Sequence, residues 1–115
     1  MRVVMALLFV LPQAGNADAF SCRFETECFE SEACAETSFE LSLSTEITGD
    51  AELVTDAETV GGIASRAPET TLFFNGNNEN GSHLLTISHG AARYSVQYYA
   101  GPMVITYLGA CEEAA

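Results

Sequence analysis

The sequence predicts an all-β domain: a small antiparallel up-and-down meander of about seven or eight strands that closes into a barrel or folds as a sandwich, stapled by disulfides. Three observations predict it. Apolar and polar residues alternate along short segments from Phe20 to Leu108, and a period of two is the mark of a strand with one buried face. Turn signals such as Asn75-Gly76, Asn80-Gly81 and His89-Gly90 separate these segments. Finally, four cysteines follow an export-type leader, which points to cross-links.

The leader comes first. Arg2 precedes the unbroken apolar run Val3 to Leu11. Pro12 ends it, and Ala17-Asp18-Ala19 places small residues where a signal peptidase reads them. Residues 1–19 are expected to be a cleaved signal peptide, and 20–115 a single β domain that starts at Phe20. The apolar run is too short to cross about 30 Å of hydrocarbon. The residues before Cys22 lack the leucine of a lipoprotein signal. The expected location is the periplasm or the outside of the cell, with no membrane anchor after cleavage.

Each strand then has its own pattern. In residues 20–28, Phe20, Cys22, Phe24, Thr26 and Cys28 share the core face; Ser21, Arg23, Glu25 and Glu27 share the other. In 38–47, Phe39, Leu41, Leu43 and Ile47 are expected inward, and Glu40, Ser42, Ser44 and Glu46 outward. Shorter candidates follow at 52–55, 59–64, 70–74, 82–88, 93–99 and 103–108. Residues 51–62 do not form a helix, because Gly61-Gly62 and the Thr/Val content oppose it. Such a meander avoids bare edges by closing or by packing as two sheets. Glutamates on the outward faces exclude a transmembrane barrel, whose outer band is apolar.

Cys22, Cys28, Cys34 and Cys111 form an even set with no C-x-x-C spacing. This excludes a zinc site and a redox pair and leaves structural disulfides. Cys34 lies a short loop away from Cys28. Cys111 shares parity with Met103, Ile105 and Tyr107 on the last strand. The economical pairing is Cys28–Cys34 and Cys22–Cys111.

Composition limits the partners. Four Lys+Arg face 16 Asp+Glu, giving a net charge of −12. Nothing in the chain can neutralise a run of phosphates, and an anionic membrane surface repels it. A hydrophobic fraction of 48% excludes a disordered acidic tail. The partner that remains is another protein with a basic surface.

The chemistry-bearing residues form no constellation. His83 and His89 stand about 20 Å apart at about 3.3 Å per residue. They cannot share a metal and are expected as polar residues at opposite rims. Asn75 to Gly81 resembles a calcium loop in its alternate oxygens but lacks Asp and the distal bidentate Glu, so a solvated hairpin loop is expected. Asn80-Gly81-Ser82 is a glycosylation sequon, relevant in a eukaryotic secretory route. No G-x-S-x-G elbow is present. The acid pairs Glu25/Glu27 and Glu112/Glu113 read as solvated sheet carboxylates rather than a glycosidase pair. No catalytic residue, metal or cofactor is expected.

All four tyrosines fall in the C-terminal third, and the last strand is apolar on both faces. Either this strand is covered on both sides by the chain ends, or an aromatic patch of Tyr98, Tyr99, Pro102 and Met103 meets a partner. The rarity of exposed patches on monomers favours the covered strand.

The segment Ser88-His89-Gly90-Ala91-Ala92-Arg93-Tyr94 resembles the Ser-Gly-x-x-Tyr segment of the small periplasmic inhibitors of C-type lysozyme. His89 stands before the glycine and Tyr94 one place late. Those inhibitors are compact β-barrels with a bridge between early and late cysteines. The resemblance implies a protein inhibitor of a basic hydrolase. The residues themselves favour a small acidic non-enzymatic binding or accessory domain, with the inhibitor as the alternative.

Overall fold

The computed structural model describes residues 18–66 and 70–114; most of the leader expected at 1–19 lies outside them. The fold is a closed, eight-stranded antiparallel barrel in simple up-and-down order. The strands are β1 (Asp18–Phe29), β2 (Ala35–Thr45), β3 (Asp50–Val54), β4 (Thr59–Arg66), β5 (Thr71–Asn77), β6 (Gly81–Ser88), β7 (Ala91–Tyr98) and β8 (Met103–Glu113). The barrel, not the sandwich, is the solution, because β1 ladders onto β8 from Phe20↔Glu113 to Phe29↔Ile105.

Alternation builds the core. Phe20, Cys22, Phe24, Leu41, Leu43, Leu53, Val60, Leu72, Phe74, Leu85, Ile87, Tyr94 and Val96 all point inward and are buried. An eight-stranded barrel is just wide enough for its own side chains to fill. Phe24, Phe39, Tyr94 and Tyr107 meet near one end, with the Phe39 and Tyr107 rings stacked 4.5 Å apart.

The turns alternate between two ends. One end carries the β1–β2, β3–β4, β5–β6 and β7–β8 connections. The other carries the β2–β3, β4–β5 and β6–β7 connections and both strand termini. The β6–β7 turn is a two-residue hairpin loop in which His89 (φ 53°) and Gly90 (φ 85°) both adopt left-handed backbone. That geometry matches the twist of the flanking strands.

Both disulfides join the expected partners. Cys22 and Cys111 face each other across β1 and β8 with Cα atoms 4.0 Å apart, and Cys28–Cys34 closes the β1–β2 loop. No free cysteine remains. Such pairing suits an oxidising compartment.

Three sequence expectations are corrected. A bulge in β1 between Phe24 and Thr26 resets the alternation, so Glu27 lies opposite Tyr107 and Cys28 opposite Thr106. Cys28 therefore leaves the core face on which simple alternation placed it, and Glu27 takes up the inward parity. A bulge inserts one extra residue and flips everything beyond it. Gly109 sits opposite Phe24 beside this bulge, and a Cβ there would collide with the Arg23 carbonyl. In β2 the inward series ends at Thr45, which is 7% exposed; Ile47 falls in the β2–β3 turn at 71% exposed rather than inside. Nor is β8 covered on both sides: Val104, on its outer face, is 38% exposed.

Candidate functional site

The chemically distinctive part of the molecule is the barrel end that carries the β1–β2, β3–β4, β5–β6 and β7–β8 connections. β6 places His83 inward and β7 places Tyr94 inward one diagonal step away, since Leu85 pairs with Tyr94 and His83 with Val96. The His83 side chain is fully enclosed. Its Nδ1 lies 2.7 Å from the Tyr94 hydroxyl, and its Nε2 lies 3.2 Å from Asn78 Oδ1. His83 is thus an interior residue and not the rim residue expected from its position near a strand end.

The turn residues fix the tautomer. Asn78 Oδ1 accepts the backbone N–H groups of Asn80 and Gly81, while the Asn78 and Asn80 amide groups both donate to Glu58 Oε1. An amide oxygen only accepts, so His83 Nε2 carries the proton and donates to it. Nδ1 is then the acceptor, and the Tyr94 hydroxyl donates to it. Within the Asn75–Gly81 segment the Asn78 and Asn80 side chains hold this network, while Asn75, Gly76 and Asn77 belong to β5.

Burial sets the protonation states. Desolvation pushes the His83 pKa below its ordinary value, against the pull of the Glu58 carboxylate 3.9 Å away. Burial alone raises the Glu58 pKa, but the hydrogen bonds from Asn80 and Asn78 outweigh it and leave the group below the ordinary carboxylate value. Burial, helped by Glu27, pushes Tyr107 up to about 12. Tyr94 is raised for the same first reason, with Glu58 adding to it. A neutral, enclosed imidazole with both nitrogens engaged acts as a clamp between β6, β7 and the β5–β6 turn.

The expected aromatic patch divides. Tyr98 pairs with Met103 across β7 and β8 and packs against the core, and both are half-buried. Tyr99 and Pro102 lie exposed in the turn between them, Tyr99 at 56%. The structure brings the four residues together at the same end as the His83 network. Sequence reading missed Glu58 altogether and placed Asn78 in a solvated hairpin loop; the Asx-turn signal of Asn78 is the one available hint of its role.

Charge is divided sharply around the wall. β1 carries Asp18, Glu25 and Glu27; β2 carries Glu36 and Glu40; β3 carries Asp50 and Glu52; β8 carries Glu112 and Glu113. β4 to β7 carry no carboxylate and contribute Arg66 and Arg93. Because β8, β1, β2 and β3 are contiguous, the acids form one half of the barrel. A surface groove of about 750 Å³ runs over β1 in that half, lined by Arg23, Glu25, Glu40 and Glu112. Arg23 pairs with Glu40 at 2.8 Å, both largely exposed. Among the described residues, no three His, Cys, Asp or Glu side chains gather as a metal site.

No protein-family model, curated protein or solved structure matches this chain.

Proposed function

We propose that this chain is a small, non-enzymatic binding or accessory module of the periplasm or extracellular space, and that its acidic half engages a protein with a basic surface. The observation that carries the reading is the segregation of strand carboxylates onto β8, β1, β2 and β3. A predominantly acidic face steers an oppositely charged partner and sets its orientation. The enclosed, doubly engaged His83 supports a binding role over acid–base chemistry.

The test is affinity capture from periplasmic extract at low salt, with the partner identified. A basic partner released at about 1 M salt, where the screening length falls to about 3 Å, supports the reading. An acidic partner, or one held equally well at high salt, overturns it.

The second reading, an inhibitor of a basic hydrolase such as C-type lysozyme, draws on the same charge. The Ser88–Tyr94 segment supports it weakly, because Tyr94 is 1% exposed and its hydroxyl is engaged inside the barrel. Activity of such a hydrolase, unaffected at low salt by an excess of this protein, removes this reading.

A further inference from the structure

β2 is longer than the strand beside it. Its ladder to β3 covers only Ser42–Thr45, from Ser42↔Val54 to Thr45↔Ala51. Its ladder to β1 continues to Glu27↔Ala35. Between Ala35 and Leu41, β2 therefore has β1 on one side and, among the described residues, no strand on the other. β1 by contrast is laddered on both sides from Phe20 to Glu27. An open edge presents unpaired backbone N–H and C=O groups to any extended chain that reaches it. A groove of about 370 Å³ lies along this edge, lined by Ser38, Phe39, Glu40 and Asp56.

The side chains along the edge alternate. Glu36, Ser38 and Glu40 are exposed, while Thr37 and Phe39 are half-buried and Leu41 is buried. The Phe39 ring rests on Tyr107. Asp56 stands on the other wall of the groove, in the β3–β4 turn. A strand entering here meets carboxylates on its outer face and an aromatic floor on its inner face.

We infer that this edge is a strand-addition site. An extended segment of the basic partner, alternating Lys or Arg with apolar residues, joins β2 as an additional strand. Main-chain hydrogen bonds supply affinity in such additions, and alternate side chains supply specificity. The basic side chains meet Glu36 and Asp56, with Glu40 alongside already paired to Arg23, and the apolar ones cover Phe39. The inference rests on the basic-partner reading and names how that partner is held. A second copy of this chain is not the occupant, because it brings the same carboxylates and a net charge of −12 to the contact.

The test uses the exported protein and two short capped peptides, one alternating Lys with Val and one alternating Glu with Val. The Lys–Val peptide is expected to bind at low salt and to slow amide hydrogen exchange within residues 35–41 by roughly tenfold or more. The Glu–Val peptide is expected to do neither. Glu36→Lys, at an exposed position, should weaken Lys–Val binding roughly fivefold, the scale of one exposed charge pair. Salt-dependent binding that leaves exchange at 35–41 unchanged overturns strand addition while the basic-partner reading stands. Equal protection by both peptides overturns the choice of a basic strand. If the Lys–Val peptide fails to bind and no basic partner is captured, both the inference and the reading beneath it fall.

Discussion

Inside the barrel, His83 Nδ1 lies 2.7 Å from the Tyr94 hydroxyl, and the two rings stack with centroids 6.0 Å apart. Since Nε2–H is committed to Asn78, Tyr94 is the donor in this bond. Tyr94→Phe removes that donor without changing the ring and leaves a buried acceptor unpaired. The expected loss is about 1–3 kcal/mol, read from chemical denaturation. An unchanged midpoint would show that water or another group takes the donor's place.

The same network makes stability depend on pH. In the unfolded chain His83 takes its ordinary value of 6.5, and in the fold burial holds it lower. Below 6.5 the unfolded state therefore binds more protons, so this contribution is full above 6.5 and declines as the pH falls. Glu58 has the same sign: its contribution is full above 4.5 and is lost as the pH drops through its lower folded value. The interval between 6.5 and 4.5, the ordinary values of His83 and Glu58, therefore separates the His83 contribution from that of Glu58. The urea midpoint should fall across that interval, and His83→Gln should flatten its slope. A wild-type midpoint that stays level or rises contradicts the assignment.

Tyr98 and Tyr99 are neighbours in sequence with opposite roles. Tyr99 is 56% exposed, whereas Tyr98 packs against the core. Tyr99→Ala should alter stability by no more than about 0.5 kcal/mol and should weaken a partner that docks at this end. Tyr98→Ala should cost more, about 1–2 kcal/mol, as a partly buried large-to-small change. Ready unfolding of the Tyr99 variant would place that ring in the core and remove it from any docking surface.

Much of this was legible in the sequence, for a physical reason. Period-two alternation survives wherever a strand is regular, so Leu41 and Leu43 in β2 are placed inward correctly. The Cys22–Cys111 bridge followed because closing a meander makes its first and last strands neighbours. What escaped the pattern was local geometry. The β1 bulge leaves no mark in composition, so Cys28 and Glu27 were assigned to the wrong faces. Ile47 continues the β2 parity on paper, but the chain has already turned at Glu46. His83 looked like a rim residue because its burial depends on Glu58 and Asn78, which come from turns that only the closed barrel brings together.

The leader expectation has a direct readout. Intact mass of the exported protein should correspond to a chain beginning at Phe20. Cleavage there also removes Asp18, whose carboxylate lies 2.9 Å from Arg66. That partly exposed pair is worth at most about 1 kcal/mol; cleavage also removes the Asp18 backbone partners of Thr45 and the Ala19 carbonyl that accepts from Ala114. A mass that includes Met1, or a lipid adduct on Cys22, contradicts the cleavage site.

The two bridges should differ in what they contribute. Cys22–Cys111 spans a sequence separation of 89, and Cys28–Cys34 one of 6. The chain-entropy relation assigns about 4.6 kcal/mol to the long loop and about 2.4 to the short one. The long bridge is also buried, with Cys22 at 1% and Cys111 at 7% exposed. It locks the β1–β8 seam, where the meander becomes a barrel. The short bridge lies beyond the bulge and ties down a polar loop. Because a domain of this size is stable by only about 5–10 kcal/mol, Cys22→Ala/Cys111→Ala should bring the protein close to unfolding. Cys28→Ala/Cys34→Ala should leave a folded barrel with a lower denaturant midpoint. Peptide mapping without reductant should recover both linked pairs from the native protein. If the short-loop variant proves the less stable of the two, the seam is held by its strand pairing and core packing rather than by the cross-link.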